Sequence, residues 1–167
     1  MTPDNALYRT AALCSRSEQC EADLRDKLSA WGIAQCDANA IIARLKAEGY
    51  IDEQRYARAF VRDKFRFGGW GRIKIAYALR HKRVGSDTID AALGEIDETE
   101  YHEALRSALS AKLRSCHAKE PLKLRAALYR FAASRGDEPA LVSEAVSAMM
   151  KSHGSSCSDD YPIGFDE

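Results

Sequence analysis

The chain has 167 residues, of which 46% are hydrophobic and 30% are charged, and its formal net charge at pH 7 is zero. This composition is typical of a folded, soluble protein and excludes a fibrous or low-complexity chain. No stretch approaches the roughly 18 uninterrupted apolar residues of a membrane span, and the N-terminus lacks the features of a signal peptide. We therefore expect a cytoplasmic protein without a membrane partner.

Hydrophobic residues recur at intervals of three and four along the chain, which predicts an all-α protein. Three segments share one pattern: an apolar residue, a second four positions later, and a third position four after that. Four more apolar residues follow at the same offsets in each segment, so the chain contains an internal repeat. The third positions of the three segments are Gly32, Arg83 and Gly136.

A further helical run precedes each repeated segment, so each repeat is predicted to have three helices. These runs cover residues 7–15, 53–67 and 99–115. The predicted organisation is three tandem three-helix repeats, followed by an acidic tail that we expect to be disordered. Rows of such repeats form elongated, curved helical bodies. The boundaries are residues 1–49, 50–98 and 99–152 for the repeats and 153–167 for the tail.

Glycine and capping residues predict where several helices begin and end. Gly32 and Gly136 suit the left-handed turn that ends a helix. Arg83 stands at the equivalent place in the second repeat, where it implies strain or a different turn. Asp37 and Ser86 suit N-caps. The prolines that suit first-turn positions of later helices are Pro121 and Pro139.

The stretch AEGYIDEQRYARAF joins the first two repeats. Gly49 is predicted to end one helix and Asp52 to cap the next. Ile51 and Tyr56 then occupy the two positions of a hydrophobic staple, which fixes the angle at which the chain enters the helix. Together with Tyr50, Ile51 forms an apolar joint between the two repeats.

Positive charge is concentrated in the second repeat. Between positions 55 and 83 there are ten Lys and Arg residues and one acid, whereas the segment from position 152 to the end has four acids and no Lys or Arg. Helical geometry places Arg55, Arg58, Arg62 and Arg66 on one face, opposite an apolar stripe. The segment predicts either a surface for a polyanionic partner or a solvated helix face. A further hypothesis is that the acidic tail regulates the basic repeat by folding over it.

The loop FGGW and the helix after it extend the basic segment. Trp70 is predicted to be exposed at the end of this loop, and the next helix carries further basic residues. Basic groups beside an aromatic ring are typical of surfaces that bind single-stranded nucleic acid or its protein complexes. The candidate contact residues are Arg55, Arg58, Arg62, Arg66, Trp70, Arg72, Lys74, Arg80, Lys82 and Arg83.

Several other classes of function are disfavoured. The third helix of each repeat lacks basic residues near its start, which argues against major-groove recognition by a helix-turn-helix. No G-x-S-x-G, P-loop or H-E-x-x-H motif is present, so we expect no enzymatic activity.

The cysteines are expected to be reduced thiols. A zinc site at Cys14, Cys20 and Cys36 is the alternative, although its spacing matches no common pattern. We expect no metal and no cofactor.

Motifs in the middle of the chain carry a family resemblance. They are GYIDEQRYARAFVRDKF, GGWGRIKIAYALRHKRV and the following IDAAL. At these residues the chain resembles the RecX family, the regulators of the RecA recombinase, and a looser resemblance extends over residues 6–150. Arg72, Ala78 and Arg83 depart from the residues that are usual there. Most of the matching positions are expected to be core and capping residues. They are Tyr50, Ile51, Asp52, Tyr56, Ala57, Gly71, Ile75, Leu79 and Lys82.

The resemblance implies a non-enzymatic, monomeric regulator that binds RecA and lodges in the groove of the RecA–single-stranded DNA filament. Filament extension, ATP hydrolysis, strand exchange and co-protease activity would fall, which would regulate homologous recombination, DNA repair and the SOS response. Two alternatives remain. One is a general single-stranded or duplex DNA-binding helical module without a RecA-specific role, and the other is a helical adaptor for another protein. The zero net charge disfavours bare DNA as the main partner and allows weak DNA binding.

Overall fold

Every regular element in the computed structural model, which describes residues 1–156, is an α-helix, as the sequence predicts. No helix in this range is both long and apolar enough to cross a bilayer. The helices are α1 (Pro3–Arg16), α2 (Glu21–Ala30), α3 (Gln35–Ala47), α4 (Glu53–Arg66), α5 (Arg72–His81), α6 (Ser86–Gly94), α7 (Glu98–Ser115), α8 (Pro121–Arg135) and α9 (Pro139–Ser156).

Residue contacts divide the chain into two units. The first contains Met1–Gly68 and Lys74–Ile96, and the second contains Gly69–Ile73 and the chain from Asp97 onward. The finer division into three repeats remains a proposal. Helix α9 continues past the expected end of the third repeat, at residue 152, to Ser156. The rest of the expected tail, including all of its acids, lies outside the described residues.

The core of the first unit is built from aliphatic side chains on one face of each helix. Leu24 and Leu28 of α2 are fully buried, and they belong to one cluster with Leu45 of α3. Ile51, in the link between α3 and α4, is buried in the same cluster. Burying a leucine or isoleucine side chain stabilises the fold by about 1.5–3 kcal/mol. The predicted apolar joint therefore packs into the core of the first unit.

The core of the second unit is also built from apolar side chains, which occur in pairs four positions apart along each helix. Because residues four apart lie on one helix face, each pair forms one apolar ridge. The pairs come from α7, α8 and α9 and are Leu105 with Leu109, Leu128 with Ala132, and Val142 with Val146.

The predicted left-handed turns are confirmed. Gly32, Gly49 and Gly136 have φ angles of 75°, 78° and 83°. Arg83 adopts the same conformation, with φ of 59°. A side chain with a Cβ pays about 1–2 kcal/mol for this conformation, because the Cβ approaches the following carbonyl oxygen. The chain therefore keeps the left-handed turn at this position despite the strain of a residue with a Cβ.

The capping predictions were partly correct. The Asp52 carboxylate accepts a hydrogen bond of 3.0 Å from the Arg55 N–H, which confirms it as the N-cap of α4. Pro121 and Pro139 begin α8 and α9 as predicted. The predictions for Asp37 and Ser86 were wrong, because both helices start earlier than expected. Asp37 is the third residue of α3, Ser86 is the first residue of α6, and the residues before these helices make no side-chain cap.

Candidate functional site

The predicted basic face of α4 exists. Its four arginines are exposed along the helix, from the first turn to the last. The opposite side is buried and consists of Tyr56, Ala57, Val61 and Phe65. The amphipathic pattern therefore places guanidinium groups in solvent and aromatic groups in the core, but it does not distinguish the four arginines from one another.

Arg55 is engaged within the first unit. Its guanidinium pairs with the Glu18 carboxylate and donates hydrogen bonds to the carbonyls of Gly49, at 3.0 Å, and Tyr50, at 3.5 Å. These carbonyls follow the end of α3, where backbone acceptors lack helical partners. Arg55 therefore holds the segment that links α3 to α4, which makes it a poorer candidate for binding a partner.

Arg58 and Arg62 are the most available arginines of this face. Arg58 pairs with Glu95 at 2.8 Å, and the two side chains are 52% and 51% exposed. Such an exposed pair contributes about 0–1 kcal/mol and opens readily. Arg62 makes no hydrogen bond or ion pair with the other residues that the structure describes. Both guanidinium groups can therefore reach a partner at little cost.

Lys82, which directly follows α5, is held by a carboxylate of α2. Its Nζ lies 3.0 Å and 2.7 Å from the two oxygens of Asp23. The hydrogen bond to Asp23 raises the pKa of Lys82. Partial burial acts to raise the pKa of Asp23, but hydrogen bonds from Lys82 and the Cys20 thiol outweigh it, so this pKa lies below its usual range. The pair joins α2 to α5.

We expect a measurable coupling between Asp23 and Lys82. A double-mutant cycle of Asp23→Asn and Lys82→Met should give about 0.5–1 kcal/mol at neutral pH, since about a third of each side chain is exposed and solvent screens the pair. The depressed pKa of Asp23 means that the coupling is present above the usual carboxyl range, near pH 4, and is lost as pH falls below it. Urea unfolding at several pH values measures this. A coupling that does not change down to pH 2 would contradict the ion pair.

Arg72 forms a network inside the second unit. Its backbone N–H donates to the Tyr101 hydroxyl at 3.1 Å, and its guanidinium carbon lies 3.9 Å from the centre of the Tyr101 ring. The guanidinium also pairs with Glu98 at 2.6 Å and Glu138 at 3.2 Å. The side chain is only 18% exposed. Arg72 is therefore an internal ion-pair residue in this structure, and its contact with a partner stays a prediction.

Tyr101 and Asp137 complete this network. The Tyr101 hydroxyl donates to Glu138 at 2.6 Å, while Arg135 pairs with the buried carboxylate of Asp137 at 3.0 Å. Burial and the hydrogen bond to Glu138 both raise the pKa of Tyr101. Burial also raises the pKa of Asp137, against the opposing effect of Arg135. The network consists of polar groups that satisfy one another in a partly buried site.

The remaining candidates differ in exposure. Arg66, Arg80 and Arg83 are exposed, and Lys74 is half-buried. Trp70 is also half-buried, so the prediction of an exposed indole was wrong. The exposed aromatic group on α5 is Tyr77, which is 60% exposed and stacks edge-on against His81 at 4.6 Å. The aromatic that the sequence singled out is thus not the most accessible one.

The family-motif residues occupy structural positions, as the sequence predicts. Asp52 is the N-cap described above, and Tyr50 is half-buried. The other motif residues are buried and are Ile51, Tyr56, Ala57, Gly71, Ile75 and Leu79. The motif therefore specifies how the helices pack.

The carboxylates that engage the basic residues were not found from the sequence. Asp23, Glu95 and Glu138 lie far along the chain from their partners, and no spacing rule connects them. Within the described range, no group of three His, Cys, Asp or Glu side chains is arranged to hold a metal ion. Burial raises the pKa of the Cys14 and Cys20 thiols, which disfavours their reactive thiolate form.

Comparison with known proteins identifies the family. The model described as RecX, second three-helix domain, matches residues 52–93. The regulatory protein RecX of Vibrio campbellii (strain ATCC BAA-1116) is 32% identical over 108 residues, which cover 65% of this chain and 68% of that protein. This chain belongs to the RecX family. The regulatory protein RecX of Clostridium botulinum (strain Eklund 17B / Type B) is 33% identical over 123 residues, covering 72% of this chain.

Solved RecX structures share this fold. A crystal structure of regulatory protein RecX matches with a TM-score of 0.78 at 21% identity, covering 90% of this chain and 73% of that one. The structure of RecX from Lactobacillus salivarius matches with a TM-score of 0.73 at 15% identity, covering 88% and 96%. The chain spans 57% to 65% of the length of the clostridial RecX proteins that it matches here. These comparisons establish family and fold.

Proposed function

We propose that this RecX-family protein binds RecA and the groove of the RecA–single-stranded DNA filament. It inhibits filament extension, ATP hydrolysis, strand exchange and co-protease activity, and so regulates recombination, DNA repair and the SOS response. The observation that carries the proposal is family membership, since the relatives bear the name regulatory protein RecX. That name also supports a role as a regulator and not as an enzyme.

The exposed side chains of the first unit support this proposal. Arg58 and Arg62 lie on a solvent-facing helix surface, and Arg80 is exposed on α5. A repeating filament offers the same acidic or phosphate groups on every protomer, so several modest contacts can add up to stable binding. Electrostatic attraction of this kind speeds association and weakens as salt increases.

A general DNA-binding module is the second candidate. The observation that favours it is the exposed Tyr77 beside Arg80 and His81, because aromatic and basic groups together bind single-stranded nucleic acid. A module of this kind binds bare DNA tightly without RecA, and its affinity falls steeply as the salt concentration rises.

One experiment separates the two candidates. ATP hydrolysis by RecA on single-stranded DNA is measured while this protein is titrated, and its binding to the same DNA is measured without RecA. We expect hydrolysis to fall at concentrations that leave bare DNA unbound. A fall only where the protein coats the DNA would support the DNA-binding module, and no fall at all would contradict the proposed regulatory role.

A further inference from the structure

A charged cavity lies in the first unit, beside the start of α2 and α4 and the end of α3 and α5. Its volume is about 450 Å³. Four cationic side chains and two carboxylates line it, together with a few apolar groups. The charged lining residues are Arg25, Lys46, Lys82, Arg83, Glu21 and Glu53.

Carboxylates hold three of the four cations in place. Glu21 pairs with Arg25, at 2.8 Å, and with Lys46, while Asp23 pairs with Lys82 at 2.7 Å. The hydrogen bond from Lys46 is the main reason that the pKa of Glu21 lies below its usual range. These pairs fix the positions of the cations before any ligand arrives, which reduces the entropy lost on binding.

Arg83 supplies the excess positive charge of the cavity. Glu21, Glu53 and Asp23 balance three of the four cations, so one positive charge remains. The Arg83 side chain is exposed and makes no hydrogen bond or ion pair with any other residue in the described range. Its guanidinium is therefore free to bind an anion at the rim of the cavity.

The backbone of Arg83 is strained, and no side-chain hydrogen bond or ion pair within the described range compensates for the strain. Its φ of 59° is the left-handed conformation that Gly32 and Gly136 adopt at the equivalent turns of the other repeats. Glycine would form the same turn at lower cost. Strain that is kept at a residue without such a hydrogen bond or ion pair points to a function in binding.

We propose that this cavity binds a phosphate group, with Arg83 as its main donor. The guanidinium group suits phosphate because two parallel N–H groups can reach two of its oxygens. The volume exceeds that of a single phosphate ion, so it accommodates a phosphate attached to a nucleoside or to a sugar chain. The source is either a free phosphate compound, such as a nucleoside triphosphate, or the backbone of single-stranded nucleic acid.

The test measures binding to the isolated protein with three probes: inorganic phosphate, ATP, and a single-stranded oligonucleotide without a terminal phosphate. Isothermal titration calorimetry gives the affinity for each. The variants are Arg83→Gly, Arg83→Ala and Arg83→Lys, with Arg130→Ala as a matched control. Arg130 is also exposed, makes no hydrogen bond or ion pair with the other described residues, and is not among the residues that line this cavity.

We expect Arg83→Gly to weaken binding at least tenfold while its urea midpoint equals or exceeds that of the wild type, since glycine relieves the strain. Arg83→Ala should weaken binding equally without that gain in stability. Arg83→Lys should retain part of the binding, and Arg130→Ala should leave the binding unchanged. If the Arg83 variants lose affinity for phosphate and ATP, the ligand is a free phosphate compound. If they lose affinity for the oligonucleotide alone, the ligand is the backbone of single-stranded nucleic acid.

The proposal is overturned if no probe binds, or if Arg83→Gly binds every probe as tightly as the wild type. It is also overturned if Arg130→Ala lowers the affinity as much as Arg83→Gly, because the effect would then follow net charge. The experiment contains no RecA, so these outcomes are independent of the proposed regulatory role.

Discussion

Reversing Arg58 and Arg62 to glutamate is expected to raise the concentration needed to inhibit RecA ATP hydrolysis by about tenfold or more, which corresponds to about 1.4 kcal/mol of binding free energy. Both guanidinium groups are available, and the double variant replaces two positive charges with two negative ones on one helix face. The reversal should slow association more than it speeds dissociation, with the largest difference at low salt. Helix content by circular dichroism should stay unchanged, because neither side chain is buried.

Two controls make this result specific. Arg125→Glu with Arg130→Glu changes the net charge equally on an exposed part of α8 in the second unit, and it should inhibit like the wild type. Adding Glu95→Arg to the Arg58 and Arg62 reversal restores an ion pair at that site and should not restore inhibition. Undiminished inhibition by the folded double variant would remove the α4 face from the proposed interface.

Substituting Gly71 by alanine is expected to destabilise the second unit by about 1–3 kcal/mol or more, the range for an atom forced into a packed site. A Cβ at this position would lie 2.4 Å from the carbonyl carbon and oxygen of Gly136 and 2.5 Å from the Asp137 nitrogen. These are backbone atoms, so no rotamer change can relieve the clash. In the same segment, the Gly71 N–H donates a hydrogen bond to the carbonyl oxygen of Arg135 at 2.6 Å. The Ile73 N–H donates one to the carbonyl oxygen of Gly136 at 3.0 Å.

The chain offers a matched control and a local probe for this effect. Gly94→Ala adds a Cβ that meets nothing within 4 Å at the end of α6, so it should be neutral or stabilising by up to about 1 kcal/mol. The chain has two tryptophans. In a Trp31→Phe background, the fluorescence of Trp70 reports on the segment next to the mutation. An unchanged urea midpoint for Gly71→Ala would show that Gly136 can move away at little cost.

Gly71 illustrates why part of the site could be predicted and part could not. Its place in the family motif indicates a structural role, but the sequence does not say what it contacts. The close approach to Gly136 depends on how the segment from Gly69 to Ile73 lies against the turn between α8 and α9. Likewise, the helical period predicts that Arg55 and Arg62 share a face, while only the structure shows that Arg55 binds Glu18 and the carbonyls after α3.

The sequence by itself determined the features that depend on residues within a turn or two of one another: the helices, the glycine turns, the Asp52 cap and the amphipathic face of α4. These follow from local sterics and hydrogen bonds. The tertiary structure alone decided which basic groups are engaged and which are available. Lys82 meets Asp23 across 59 positions and Arg72 meets Glu138 across 66. Such pairs form only after hydrophobic packing brings the helices together, since an ion pair in water is too weak to do so.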